Sequence, residues 1–291
     1  RNNHMLLEKI KKIKVWRKGD LRAPHKPLLI LFAISRINNR HIPYVDMDTH
    51  LKELLDSFGP STDNQRPQYP FWRLQNDSIW EILNCEKVSI SSSGDVSAGD
   101  LIRFSAAGGF KQKYYDELIN SSDSRNEIIN YLLNTNFPDS YHQAILDRLA
   151  LSTDFTFKKD SRDPKFRDKI LKAYEYKCCI CEMQITLNQK DTILDAAHIK
   201  WHQYNGPSKE SNGLCLCVIH HRLYDRGVIG IDKNLQLIVS EFGGGNIGFR
   251  NLVLYYNGKK IRRPINIKYS PENQFLEWHY HNVFKKPFRD N

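Results

Sequence analysis

The chain has 291 residues, 40% of them hydrophobic, and a formal net charge of +10. That length fits two domains of ordinary size, each with its own core. The longest clean apolar run, Pro27 to Ile34, falls far short of the roughly 20 residues that span a bilayer, so no membrane partner is expected.

Residues 6–14 (LLEKIKKIK) pattern as a short amphipathic helix. The segment 22–37 (RAPHKPLLILFAISRI) reads as a loop feeding a buried helix, with Pro27 in its first turn. Residues 47–58 are helical again and end near Gly59-Pro60, and a proline- and aromatic-rich stretch follows over 66–74. Gly94, Gly108 and Gly109 mark turns on either side of a helix expected over 97–106, and helices continue over 111–134 and 139–151. This half is therefore mainly helical. Two of its patches could meet a polyanion. Arg22, His25 and Lys26 sit just before a helix, where free backbone N–H groups favour phosphate. Tyr69, Pro70 and Arg73 combine apolar surface with a cation.

The polar stretch 152–164 lacks apolar periodicity and sets the domain boundary: 1–152, a linker over 153–164, and 165–291. Beyond it come a helix over 165–176, a Cys-rich turn, a strand over 192–199, and a loop over 204–213. A helix over 217–225, strands over 228–231 and 235–240, and a closing helix over 271–284 complete the half. The fold class is α+β, with a ββα unit in the second domain. Charge is unevenly placed: residues 1–40 hold 11 Lys and Arg against two acids, 41–150 hold 9 against 16, and 151–291 hold 23 against 15. Two basic regions flanking an acidic one suggest two contacts on one long ligand, with DNA or RNA first. The polar, basic start lacks the pattern of a signal peptide, so a cytoplasmic, prokaryotic-type intracellular setting is expected.

Five of the six cysteines fall within 40 residues, which favours metal binding over a disulfide framework. Cys178 and Cys181 form a CxxC, and Cys217 and His220 a CxxH. Two such pairs supply four tetrahedral positions to a structural Zn2+. Cys179 and Cys215 read as core thiols. Interleaved with the quartet are His198, Asn212 and His221. Phosphodiester hydrolysis needs a base near neutral pKa and a cation on the phosphate oxygens. One imidazole suits the base, and a second imidazole with an amide oxygen suits a divalent ion such as Mg2+ or Mn2+. Lys200, Arg222 and Arg226 flank these residues.

Over residues 162–230, with AAHIK and SNGLCLCVIHHRLYDRG at its centre, the sequence resembles the HNH (ββα-metal) endonucleases. The resemblance implies that His198 is the general base, that Asn212 orients it or binds metal, and that His221 binds metal. Many such enzymes carry Asp or His immediately before the base, where this chain has Ala197. Asp195, two residues back and on the face of Ala197, is a candidate to complete the site. Residues 10–110, through WRKGDLRAPHKPLLILFAISRI, YPFWRLQNDSIWEI and GDLIRFSAAGGF, look like the sulfur-binding domain of phosphorothioate-dependent McrA-like restriction endonucleases. The tail FLEWHYHNVF also looks like the tail of these proteins.

That resemblance implies a grip on double-stranded DNA in which sulfur replaces a non-bridging oxygen. Tyr69 and Pro70 would form an apolar cup, His25 and Lys26 would lie near it, and Arg22 and Arg73 would contact phosphates or bases. Sulfur is more weakly hydrated than oxygen, so an apolar cup loses less on desolvating it. The expected function is modification-dependent restriction. The alternatives are an HNH endonuclease reading methylated or unmodified DNA, and an inactive zinc-containing DNA-binding protein. One site per chain cutting two strands leads to the expectation of a homodimer.

Overall fold

The computed structural model describes residues 5–13, 23–60, 65–151 and 164–290. The chain divides into two units, Arg1–Lys158 and Lys159–Asn291. Arg22 and all of the expected linker except Pro164 lie outside the described residues.

In the first unit, α1 (Met5–Ile10) buries Leu6, Leu7 and Ile10. The helix α2 (His25–Ser35) buries every residue from Pro27 to Ile34. Strand β1 (His41–Pro43) leads into α3 (Tyr44–Phe58), followed by α4 (Gln68–Arg73), β2 (Trp80–Leu83), α5 (Ala98–Arg103) and β3 (Ala107–Phe110). The helices α6 (Gln112–Asn120), α7 (Ser122–Asn136) and α8 (Asp139–Leu149) complete the unit. A helix apolar on all sides must be wrapped by its neighbours, and α2 packs against α3, α4, α7 and α8.

Two expectations need correction here. Gly108 and Gly109 are not turn residues. They lie in β3, the central strand of an antiparallel sheet ordered β1-β3-β2, with Gly109 opposite His41 and Glu81. A Cβ on Gly109 would sit 1.7 Å from the Arg40 carbonyl oxygen, so the glycine is there for close backbone approach. The helix expected over 111–134 is two helices. Ser121 adopts extended backbone and its side chain accepts from Ser124 N, capping α7 and ending α6.

In the second unit, α9 (Pro164–Ala173) precedes the cysteine turn. A short hairpin follows, β4 (Thr186–Leu187) and β5 (Lys190–Asp191), turned by Asn188 and Gln189 at φ 49° and 61°. Strands β6 (Leu194–His198) and β7 (Gly213–Cys217) pair antiparallel and run directly into α10 (Val218–Asp225). The hairpin β8 (Ile229–Ile231) and β9 (Leu237–Val239), then α11 (Ile247–Leu252) and α12 (Asn273–Asn282), complete the unit. Its core gathers α9, β6, β7 and the inner face of α10 around Ile170, Tyr174, Leu214, Leu216 and Tyr224. Among the described residues no helix is long and apolar enough to cross a membrane.

Candidate functional site

Glu175 and Tyr176 take φ of 53° and 55° just past the end of α9, which reverses the chain into the turn from Cys178 to Cys181. Glu182 N donates to Cys178 O at 2.8 Å and Cys179 N to Cys215 O at 2.8 Å, tying this turn to β7. Cys217 ends β7 and His220 lies one turn into α10, so both pairs converge. The four donor atoms of Cys178, Cys181, Cys217 and His220 all lie within 4.8 Å of one another. His220 Nδ1 is 3.5 Å from Cys178 Sγ and 3.3 Å from Cys217 Sγ, and Cys181 Sγ is 4.0 Å from Cys217 Sγ.

Zinc bonds of about 2.3 Å to sulfur and 2.0 Å to nitrogen put tetrahedral neighbours about 3.5 to 3.8 Å apart. The quartet fits a tetrahedral Zn2+. His220 Nε2 donates to Leu252 O at 2.8 Å, which turns Nδ1 toward the thiols. Hydrogen bonds from Cys178, Cys181 and His220 hold Cys217 well below the usual thiol range, toward the ligating thiolate. Cys179 and Cys215 are buried in the core beside the quartet.

His221 follows His220 on α10, so the two imidazoles leave the helix about 100° apart. The Nδ1 of His221 lies 2.9 Å from Asp195 Oδ2 on β6, and its Nε2 lies 3.3 Å from Asp225 Oδ2, one turn further along α10. Asp225 is nearly inaccessible, its side chain 3% exposed, and meets the ring at the nitrogen opposite the one that meets Asp195. Two ligands of one divalent ion, with bonds of about 2.1 Å at right angles, stand about 3 Å apart. Asp195 Oδ2 and His221 Nδ1 fit such an ion, with Asp225 as the carboxylate behind the ring.

His198 is the last residue of β6, opposite Gly213. Its ring stacks on Phe166 of α9 at 4.0 Å between centroids and 15° between planes, and Nε2 lies 3.1 Å from Ser208 Oγ. A Cβ on Gly213 would meet Ile170 at 2.2 Å, so only glycine lets α9 close onto the hairpin there. Asn212 is fully buried. Its Oδ1 accepts from Lys200 N at 2.9 Å, and its Nδ2 donates to Lys200 O at 3.0 Å and Pro207 O at 2.9 Å. Both amide donors are thus spent inside the connection between β6 and β7, and Ile199 N donates to Asn212 O at 3.0 Å.

The same connection is held from outside by Glu272, just before α12, which accepts from Lys209 Nζ and Ser211 Oγ, each at 2.6 Å. Hydrogen bonds from Lys209, Ser211 and Gln274 hold its carboxyl down at about 2. Lys200 and Arg226 are half-buried beside the site, and Arg222 is exposed. Asp225, Phe166, Ser208 and Glu272 were not read from the sequence. Only Asp225 left a usable signal, its spacing of four from His221 on a helix.

In the first unit, α2 packs against α4, which brings His25 and Lys26 to the same neighbourhood as Tyr69 to Arg73. Lys26 Nζ donates to Asp77 at 2.5 Å with both side chains mostly buried. Arg73 Nε donates to Asp95 Oδ1 at 3.0 Å. The guanidinium groups of Arg66 and Arg73 lie 5.5 and 5.0 Å from the centre of the Tyr69 ring, and Arg66 also donates to the Tyr69 hydroxyl at 2.7 Å. Tyr69 is half-exposed and Pro70 buried.

A β-hairpin running into a helix, with a convergent thiol–imidazole quartet at the junction, is a ββα-metal unit. The sequence model of the HNH endonucleases matches residues 178–232. The model of the ScoMcrA-like DNA sulfur-binding domain matches residues 3–154, more than half of the chain, and the chain belongs to that family. No curated protein matches it. Among solved structures, the sulfur-binding domain of ScoMcrA complexed with phosphorothioated DNA is 19% identical, with a TM-score of 0.45, over 50% of this chain and 94% of that one. The sulfur-binding domain of SprMcrA, also complexed with phosphorothioated DNA, is 22% identical, with a TM-score of 0.43, over 52% and 94%. The type IV phosphorothioation-dependent restriction endonuclease ScoMcrA is 19% identical, with a TM-score of 0.42, and the match covers 49% of this chain and 32% of that enzyme.

Proposed function

We propose that the chain is a type IV restriction endonuclease that binds phosphorothioate-modified duplex DNA through its first unit and hydrolyses nearby phosphodiester bonds with its second. The observation that carries the nuclease half is the clamp on His221, 2.9 Å from Asp195 on the strand that ends in His198. His198, its ring plane fixed by Phe166, takes the proton of the attacking water. Asp195 and His221 hold the divalent ion, Mg2+, Mn2+ or another, and Asp225 orients His221. When bound, that ion supplies charge stabilisation at the scissile phosphate. Asn212, its Oδ1 accepting from Lys200 N and its Nδ2 donating to Lys200 O and Pro207 O, positions the connection behind His198 rather than ligating metal. The Cys178, Cys181, Cys217 and His220 quartet holds Zn2+ and thereby fixes the start of α10.

In the first unit the contacts are Arg22, His25, Lys26, Tyr69, Pro70 and Arg73. Tyr69 offers a half-exposed ring between two guanidinium groups, a surface that desolvates sulfur at low cost while leaving cations for the phosphate charge. Asp77 and Asp95 hold Lys26 and Arg73 in place until phosphate competes for them. Family membership supports this half. Two copies acting together account for cutting both strands, and sedimentation of the chain on a duplex should give two chains per cleaved site.

The test compares two identical duplexes, one carrying a single phosphorothioate, against wild type and His198→Ala. The modified duplex should bind more tightly, and the variant should bind it undiminished and fail to cut. Equal affinities remove the sulfur reading, and undiminished cutting by the variant removes the base.

A further inference from the structure

Residues 242–271 hold six basic side chains (Arg250, Lys259, Lys260, Arg262, Arg263 and Lys268) and no Asp or Glu. The segment matched by the HNH model, 178–232, holds five basic residues against six acidic ones. The nuclease motif is thus net −1, and six of the eight excess positive charges of residues 151–291 sit outside it in a 30-residue stretch. A motif with net negative charge does not by itself hold a phosphate backbone, whose binding rests on Lys and Arg displacing counterions.

The basic stretch is fastened to the quartet and to α9. Leu252 O accepts from His220 Nε2 at 2.8 Å, and the Tyr256 ring packs edge-on against the His220 ring. Arg262 N donates to Cys179 O at 2.7 Å and Ile265 N to Ala173 O at 2.8 Å. Arg262 spends its charge internally, on Glu175 and Glu182. Arg250, Lys260, Arg263 and Lys268 are exposed and make no ion pair among the described residues. Lys259 Nζ lies 3.2 Å from the centre of the Tyr255 ring. Tyr255, Ile265 and Ile267 are 62%, 67% and 70% exposed. An ordinary solvated face intersperses both signs of charge and few large apolar groups. Unpaired cations alternating with exposed aromatic and aliphatic side chains suit a nucleic-acid backbone.

We propose that the strap over residues 250–268 is a second DNA-binding surface, which holds the duplex backbone flanking the cut without reading base or modification. The inference rests on the nuclease reading for the identity of the polyanion. The test uses the full zinc-loaded chain carrying Arg250→Gln, Lys260→Gln, Arg263→Gln and Lys268→Gln together. Binding of phosphorothioate-containing and plain duplexes is measured across a salt series. The slope of log affinity against log salt should fall in magnitude by about 0.9 for each phosphate that is no longer neutralised, up to about 3.6 for four.

Both duplexes should weaken by the same factor, so that their affinity ratio is unchanged. Arg263→Gln with Lys268→Gln alone should give about half the change in slope, with a wild-type unfolding midpoint. A wild-type slope in the quadruple variant overturns the proposal, as does a weakening confined to the modified duplex. Failure of the metal-supplied wild-type chain to cut either duplex would sink the nuclease reading while leaving these salt slopes untouched, so the two failures are distinguishable.

Discussion

His221 meets a carboxylate at each ring nitrogen, at 2.9 and 3.3 Å, and the two acids do different jobs. Asp225→Asn keeps the volume and replaces the charged acceptor that orients the ring with a neutral amide. Loss of such a partner costs about 10- to 100-fold in metal affinity or activity, read as cleavage against metal concentration. Asp195→Asn should shift the same curve further, because on the proposed reading it removes a ligand rather than its support. A metal response identical to wild type in either variant would strike that residue from the site. The order of His198, Asn212 and His221 and the two x2-spaced pairs were legible because they are local and chemically distinctive. The choice between ligation and positioning for Asn212 was not, since the two differ only in what the amide meets, and its backbone partners lie 5 and 12 residues away. Asp225 was passed over because an acid on a short helix looks like solvated surface until its burial is known.

Among the elements, the start of α12 is tied to the connection between β6 and β7 through Glu272, which fixes Lys209 and Ser211 beside Asn212. Its carboxyl is held at about 2, below its ordinary 4.5, so the anchor is fully formed above about pH 4.5 and weakens as pH falls toward about 2. Glu272→Gln should therefore lower the unfolding midpoint at neutral pH, and the gap from wild type should close with acidification. A gap independent of pH would show that the charge is not what holds the loop. At the junction of β7 and α10, Cys178→Ser should reduce bound zinc from one ion per chain to well below one, by elemental analysis, with cutting abolished alongside.

Helices were readable from apolar period and strand β6 from its run. The glycine strand β3 was not, because Gly-Gly signals a turn unless the approach of Arg40 is known. Nor was the break at Ser121, a cap inside an otherwise continuous pattern.

At the scale of the whole chain, the two units have separate cores, and, among the described residues, only the second carries a thiol quartet. Calorimetry should therefore resolve two transitions, and a zinc chelator should lower the one belonging to the second unit while leaving the other in place. A single transition that moves as a whole would mean that the halves unfold as one. The two-part organisation was visible in the sequence as a break in apolar periodicity. The charge map gave two basic ends, and the structure sharpens the second of them to a strap outside the nuclease motif.

His220 and His221 are neighbours in sequence, yet one completes a thiol quartet while the other meets two acids. Anyone re-engineering the protein inherits that adjacency. A variant selected for a different cleavage cofactor by altering this turn of α10 will also change how firmly the knuckle is built, and one hardened against heat there will shift its appetite for ions. On the proposed reading, ion preference and robustness are geared together at a single peptide bond, so libraries aimed at either should randomise positions away from it.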